Sequence, residues 1–163
     1  MIVTEYTITI HACTQASHAI SRREQAFESI EQRILSTISD AYPAAFCIFQ
    51  DDWHQGVVGI VASRIKDRFH RPAIAFAPVD ETTMKGSARS IPGLHIRDTL
   101  DAVATANPGL LSRFGGHAMA AGLTLERDSF DRFQSAFVAE AGLRLEKGAL
   151  DRVIATDGEL KGN

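Results

Sequence analysis

Two short runs of unbroken apolar residues, AAFCIF at 44–49 and the centre of RPAIAFAPV at 71–79, most constrain what this 163-residue chain can fold into. A strand that alternates apolar and polar residues keeps one face in water, whereas a strand apolar throughout has to be covered on both faces. Between the two runs, Val57, Val61, Ile65 and Phe69 recur at intervals of four, the apolar stripe of a helix. Further along, MKGSARSI predicts another strand, and IRDTLDAVATANP predicts a helix closed before Pro108. AGLTLE alternates as a strand. Phe130, Phe133 and Phe137 share a face of a last helix, for which Asp128 is the expected cap. The order strand, helix, strand, strand, helix, strand, helix predicts an α/β domain over about 41–142. Its mixed β-sheet is flanked by helices.

Residues 1–40 predict an atypical N-terminal strand and connecting helix. YTITI places Tyr6, Ile8 and Ile10 on one strand face. A helix capped by Ser17 or Ser21 runs to about Asp40, with Phe27, Ile30, Ile34 and Ile38 as its stripe. Residues 143–163, LRLEKGALDRVIATDGELKGN, predict a charged linker cut short before a further domain. No run of about 18 apolar residues is present, so no membrane span is expected. The N-terminus lacks both a basic start and a long apolar stretch, which argues against a signal peptide. Cys13 and Cys47 stand in no metal or redox spacing and are expected as reduced thiols of a cytoplasmic protein.

The net charge of −3 argues against a free-standing nucleic-acid binder, which is usually basic. Its distribution is uneven. Arg64, Lys66, Arg68, Arg71, Lys85, Arg89 and Arg97 face only Asp67, Asp80 and Glu81 in the segment 64–97, a local excess of +4. That permits one anion-facing surface on an acidic body, and equally a solvated helix face.

Three stretches carry candidate chemistry. In DDWHQGVVGIVASR a buried strand, a loop and a helix start supply free backbone N–H groups and the positive end of a helix dipole, with His54 and Gly56 at the mouth. An ordinary strand–helix turn with a packed Trp53 and a surface His54 fits the same residues. In KGSARS, strand alternation puts Lys85, Ser87 and Arg89 on one face and Gly86, Ala88 and Ser90 on the other. The first face offers an ammonium, a hydroxyl and a guanidinium fork to a phosphate. A half-exposed strand with polar residues in water is the plainer alternative. In RFGGHAMAAGLTL, Gly115 and Gly116 allow close backbone approach and an anion-binding nest, and His117 follows as donor or acid. A tight turn before a core histidine remains open for these residues. No H-x-x-x-H, H-E-x-x-H or cysteine cluster supplies a metal site, and no G-x-S-x-G elbow supplies a nucleophile.

Taken in order, DDWHQGVVGIVASRIKDRFHRPAIAF, KGSARSIPGLHIRDTLDA and LLSRFGGHAMAAGLTLE resemble the DHH-associated domain of the RecJ family of single-stranded-DNA-specific exonucleases, within the DHH phosphoesterase superfamily. The resemblance runs from about Ala45 to Gly142, and LDRVIATDGEL is similar to the segment that leads into that family's OB-type domain. It implies that a DHH domain, lacking here, holds two divalent metals (Mn or Mg) and hydrolyses phosphodiester bonds 5′ to 3′. No cofactor is then expected in this chain itself. The associated domain grips the single-stranded DNA backbone. By motif match Ser87 and Arg89, with Lys85 beside them, contact phosphates. Gly115, Gly116 and His117 lie nearest the scissile phosphate, with His117 the one catalytic candidate and His54 a further contact on the same wall. The chain carries no Asp-His-His triplet, so it is expected to be a fragment that is inactive alone, with the DHH domain and single-stranded DNA as partners and no membrane. A phosphodiesterase of the same superfamily acting on oligonucleotides or cyclic dinucleotides shares Gly-Gly-His and Ala-Ala-Gly. A non-catalytic nucleic-acid-binding module, as in the related domain of alanyl-tRNA synthetases, is the alternative from another class.

Overall fold

The computed structural model describes residues 42–145, together with Glu28 and Gln32, which are helical and exposed. The predicted YTITI strand, the rest of the predicted N-terminal helix and the tail beyond residue 145 lie outside the described residues. The elements run β1 (Phe46–Phe49), α1 (Val58–Phe69), β2 (Ala73–Pro78), β3 (Thr83–Arg89), α2 (Ile96–Ala106), β4 (Arg113–Gly116), β5 (Ala120–Glu126), a 3-10 turn (Arg127–Ser129) and α3 (Phe130–Arg144). They build a mixed five-stranded sheet in the order β1-β2-β3-β5-β4. β1 and β2 are parallel, joined by α1 as parallel neighbours require a crossover. Every other pair is antiparallel.

The two faces of β2 explain the layers. Ala73, Ala75 and Ala77 pack with Val58, Val61, Ala62, Ile65 and Phe69 of α1 and with Phe46 and Trp53. Ile74 and Phe76 point the other way, into a second cluster with Met84, Leu100, Val103, Leu123, Leu125, Phe133 and Phe137. There α2 and α3 cover the sheet. Phe76 meets Phe133 edge-on at 5.8 Å, and Phe133 stacks on Phe137. Gln134 of α3 donates to the Cys47 carbonyl at 3.0 Å, and Arg127 pairs with Asp51 while lying over the Phe49 ring. Burial in this layer pushes the Cys47 thiol pKa far up.

The β2–β3 turn is held by Asp80, whose Oδ1 accepts the backbone N–H groups of Thr82 and Thr83 at 2.9 and 2.8 Å. Those two bonds hold its carboxyl below the usual aspartate value.

Two sequence expectations need correction. A single strand was expected between the second and last helices, and the structure has two. β4 is RFGG, which shows no alternation and carries residues that sheets usually avoid, so only its pairing with β5 defines it. Asp128 was expected to cap the last helix. It lies inside the 3-10 turn, and α3 begins at Phe130, with Ser129 as an N-cap residue that makes no side-chain cap bond. The Arg127 carbonyl takes the Phe130 N–H there, and Arg127 N–H reaches back to the Thr82 carbonyl.

Candidate nucleic-acid interface

Helix α1 covers β1, β2 and part of β3 on its side of the sheet, and beyond it that face is open. Register fixes what stands there. Lys85 of β3 is level with Thr124 of β5 and Arg113 of β4. Ser87 is level with Gly122 and Gly115. Arg89 is level with Ala120, whose carbonyl accepts the His117 N–H at 2.8 Å just past the end of β4. Directly paired residues share a face, so three cationic side chains and a serine frame a floor of two glycines. Lys85, Arg113, Gly115, Gly122 and Thr124 line an open depression of about 310 Å³. The other face of β3 is the packed one, with Gly86, Ala88 and the following Ser90 all buried.

The fold has no use for the glycine floor. A Cβ at Gly115 would meet nothing within 4 Å, and one at Gly122 only the Gly86 carbonyl at 4.0 Å. Gly86, on the packed face, is the opposite case, since a Cβ there would fall 2.5 Å from the Phe76 ring. Gly116 is required for its backbone. Its φ is 150°, and a Cβ would strike the Ala120 carbonyl and Ala121.

Arg89 is held at the foot of α1. Its Nη1 donates to Ser87 Oγ at 2.9 Å and to the Ala88 carbonyl at 2.8 Å. Gly59, in the first turn of α1, lies against both side chains. Among the described residues no acceptor takes the Val58 and Gly59 N–H groups, so the helix start presents free donors next to the guanidinium. His54 is exposed in the preceding loop, where its Nδ1 accepts the Gly56 N–H at 3.1 Å, and Trp53 beside it is buried.

His117 stands at the tip of the β4–β5 hairpin, which the Ser90–Leu94 loop and α2 fix in place. Ser90 N–H donates to the Met119 carbonyl and Ile96 N–H to the Ala118 carbonyl, at 3.0 and 2.9 Å. Ser90 Oγ in turn donates to the Leu94 carbonyl at 2.7 Å. An open depression of about 370 Å³ here is lined by His95, Arg97, Gly116, His117 and Ala118. His95 also caps α2, accepting the Asp98 N–H.

The structure thus places Lys85, Ser87 and Arg89 on one face as expected, with Gly115 beside them. His117 is exposed at the end of the same strand pair, which answers whether it is a core histidine. The nest expected from Gly115, Gly116 and His117 is corrected in one respect: the His117 N–H is spent inside the hairpin. His54 lines neither depression described here. Arg113, Thr124, Gly122, Gly59, His95 and Arg97 are the neighbours that sequence reasoning missed. Only the β4–β5 register, the seat of α1 and the docking of the start of α2 on the hairpin tip reveal them.

This sheet with its cationic open face defines a class. The chain belongs to the DHHA1 domain family, whose model matches residues 39–142. More particularly, it is 50% identical over 147 residues to the single-stranded-DNA-specific exonuclease RecJ of Dickeya dadantii, an alignment covering 86% of this chain and 25% of that protein. The crystal structure of RecJ from Thermus thermophilus in complex with Mg2+ superposes with a TM-score of 0.60 at 30% identity, over 76% of this chain and 18% of that one. The C-Ala domain of Aquifex aeolicus alanyl-tRNA synthetase gives a TM-score of 0.52 at 9% identity, covering 64% of this chain and 98% of that one, a likeness of fold alone. The chain therefore spans about a quarter of the length of the RecJ protein it matches. Among the described residues no three His, Cys, Asp or Glu side chains come together as a metal site, so they do not fit a divalent ion. No described helix is long and apolar enough to cross a membrane.

Proposed function

We propose that this domain is the DNA-gripping wall of a RecJ-type, single-stranded-DNA-specific 5′–3′ exonuclease of the cytoplasm. The observation that carries the reading is the face of β3 that α1 only partly covers, where exposed Lys85 and half-buried Ser87 and Arg89 stand beside the glycine floor of β5 and β4. Arg89 presents its guanidinium edge to a phosphate while Ser87 and the Ala88 carbonyl hold it from behind, which gives direction as well as charge. Lys85 adds a point charge one step along the strand. Gly115 clears the approach of the sugar–phosphate chain. His117, on a hairpin tip tied down at both Ala118 and Met119, donates to the phosphate nearest the reacting bond. Metal-dependent hydrolysis belongs to the DHH half of such an enzyme, the partner across the cleft.

Fluorescence anisotropy of a labelled single-stranded oligonucleotide, titrated with this chain at low and high salt, tests the reading beside a nuclease assay with added Mn2+. Binding that weakens steeply with salt, without cleavage, is expected. Salt-insensitive binding, or a preference for duplex, overturns the DNA assignment. Cleavage by the purified chain overturns the division of labour.

A further inference from the structure

We propose that Gly59 is a positioning residue for phosphate binding, acting through Arg89 and Ser87. The inference rests on the reading that those two side chains hold a phosphate. Glycine is a poor choice within a helix, and Gly59 has an ordinary helical backbone that does not require it. Neither does hydrophobic packing. The heavy atoms a Cβ would approach are Arg89 Nη2 at 3.1 Å, Ser87 Oγ at 3.3 Å and Arg89 Cζ at 3.9 Å. All three belong to the candidate phosphate contacts. What the missing side chain makes room for is therefore the polar pair itself.

The arrangement is a clamp with three jaws. Nη1 of Arg89 is committed to Ser87 Oγ and the Ala88 carbonyl, and Nη2 lies 3.1 Å from where a Cβ on Gly59 would stand. A methyl group at 59 leaves α1 free to form and instead pushes Nη2 by a few tenths of an ångström. That displacement breaks the Nη1–Ser87 bond or turns the fork away from its ligand. Two-point recognition of a phosphate by a guanidinium is sensitive to this change, whereas a purely electrostatic attraction is not.

The test is a cycle of four proteins: the unsubstituted chain, Gly59→Ala, Arg89→Ala and the double variant. Each is measured for melting temperature and for anisotropy of a single-stranded oligonucleotide at low salt. Gly59→Ala is expected to melt no lower than the parent yet bind about 5–10-fold more weakly, the scale of one hydrogen bond lost. In the Arg89→Ala background the same substitution is expected to change binding by less than about twofold, because its route of action is gone. Gly59→Ala binding as tightly as the parent overturns the positioning role, as does a loss that multiplies with that of Arg89→Ala. A drop in melting temperature that Arg89→Ala fails to relieve also overturns it. If Arg89→Ala binds as the parent does, or the parent does not bind, the phosphate reading beneath the proposal falls and takes the proposal with it.

Discussion

Gly122→Ala separates what the fold needs from what a ligand needs. Gly122 is exposed in the middle of β5, level with Ser87 on one side and Gly115 on the other. A Cβ there would approach nothing nearer than the Gly86 carbonyl at 4.0 Å, and its φ is not in the left-handed region. Glycine inside a strand costs about 0.5–1 kcal/mol relative to alanine, so the substitution is expected to stabilise the protein by about that amount. For a body of roughly 100 residues, 1 kcal/mol moves the melting temperature by about 4–8 °C, which predicts a rise of about 2–8 °C. The same methyl stands on the floor where a DNA strand would lie. An added methyl in a fitted contact costs about 1–3 kcal/mol, so single-strand affinity is expected to fall about tenfold. Circular dichroism melts and oligonucleotide anisotropy on the same preparation read both. A lower melting temperature would refute the claim that this space is unused by the fold. A higher one with unchanged affinity would show that DNA does not touch the floor.

Gly86→Ala should do the reverse in stability, losing about 1–3 kcal/mol in denaturant unfolding, because its Cβ would lie 2.5 Å from the buried Phe76 ring. Arg89→Ala should weaken single-strand binding by about 1–3 kcal/mol, and equal affinity would remove Arg89 from the interface. In a complete RecJ-type enzyme, the equivalent of His117→Ala should lower turnover more than substrate binding, and equal losses would make it a ground-state contact instead. The Asp80 carboxyl is held below its ordinary value by two backbone N–H groups, so its charged form favours the folded state. That contribution is present above the ordinary aspartate range, about pH 4, and is lost as pH falls through the lowered folded value. Melting curves between pH 6 and 2 should show the advantage of the parent over Asp80→Asn shrinking in acid, and a constant gap would contradict it.

Period and burial made most elements legible. Val61, Ile65 and Phe69 mark α1, and β2 and β3 follow the runs that mark them. The alternation in KGSARS put Lys85, Ser87 and Arg89 on the open face without any knowledge of neighbours. The site became incomplete where identity depends on pairing. Arg113 is a loop residue by pattern and a site residue only because β4 pairs with β5 in the register that brings it level with Lys85. Gly59 looks like a defect in a helix until the Arg89 side chain is seen against it. The Asp128 cap failed because the 3-10 turn uses backbone bonds, which no side-chain pattern announces.

The side chains of Ala73, Ala75 and Ala77 of β2 are the bed on which α1 rests. Side-chain volume at these three positions is the shim that sets how low the helix rides, and hence how hard its first turn bears on Arg89. All three share the sheet face that carries Lys85, Ser87 and Arg89, but in the part that α1 covers. A larger residue at 75 would jack the helix off its bed and slacken the guanidinium, so affinity for a strand running over β3, β5 and β4 can be tuned from beneath, at a position no substrate visits.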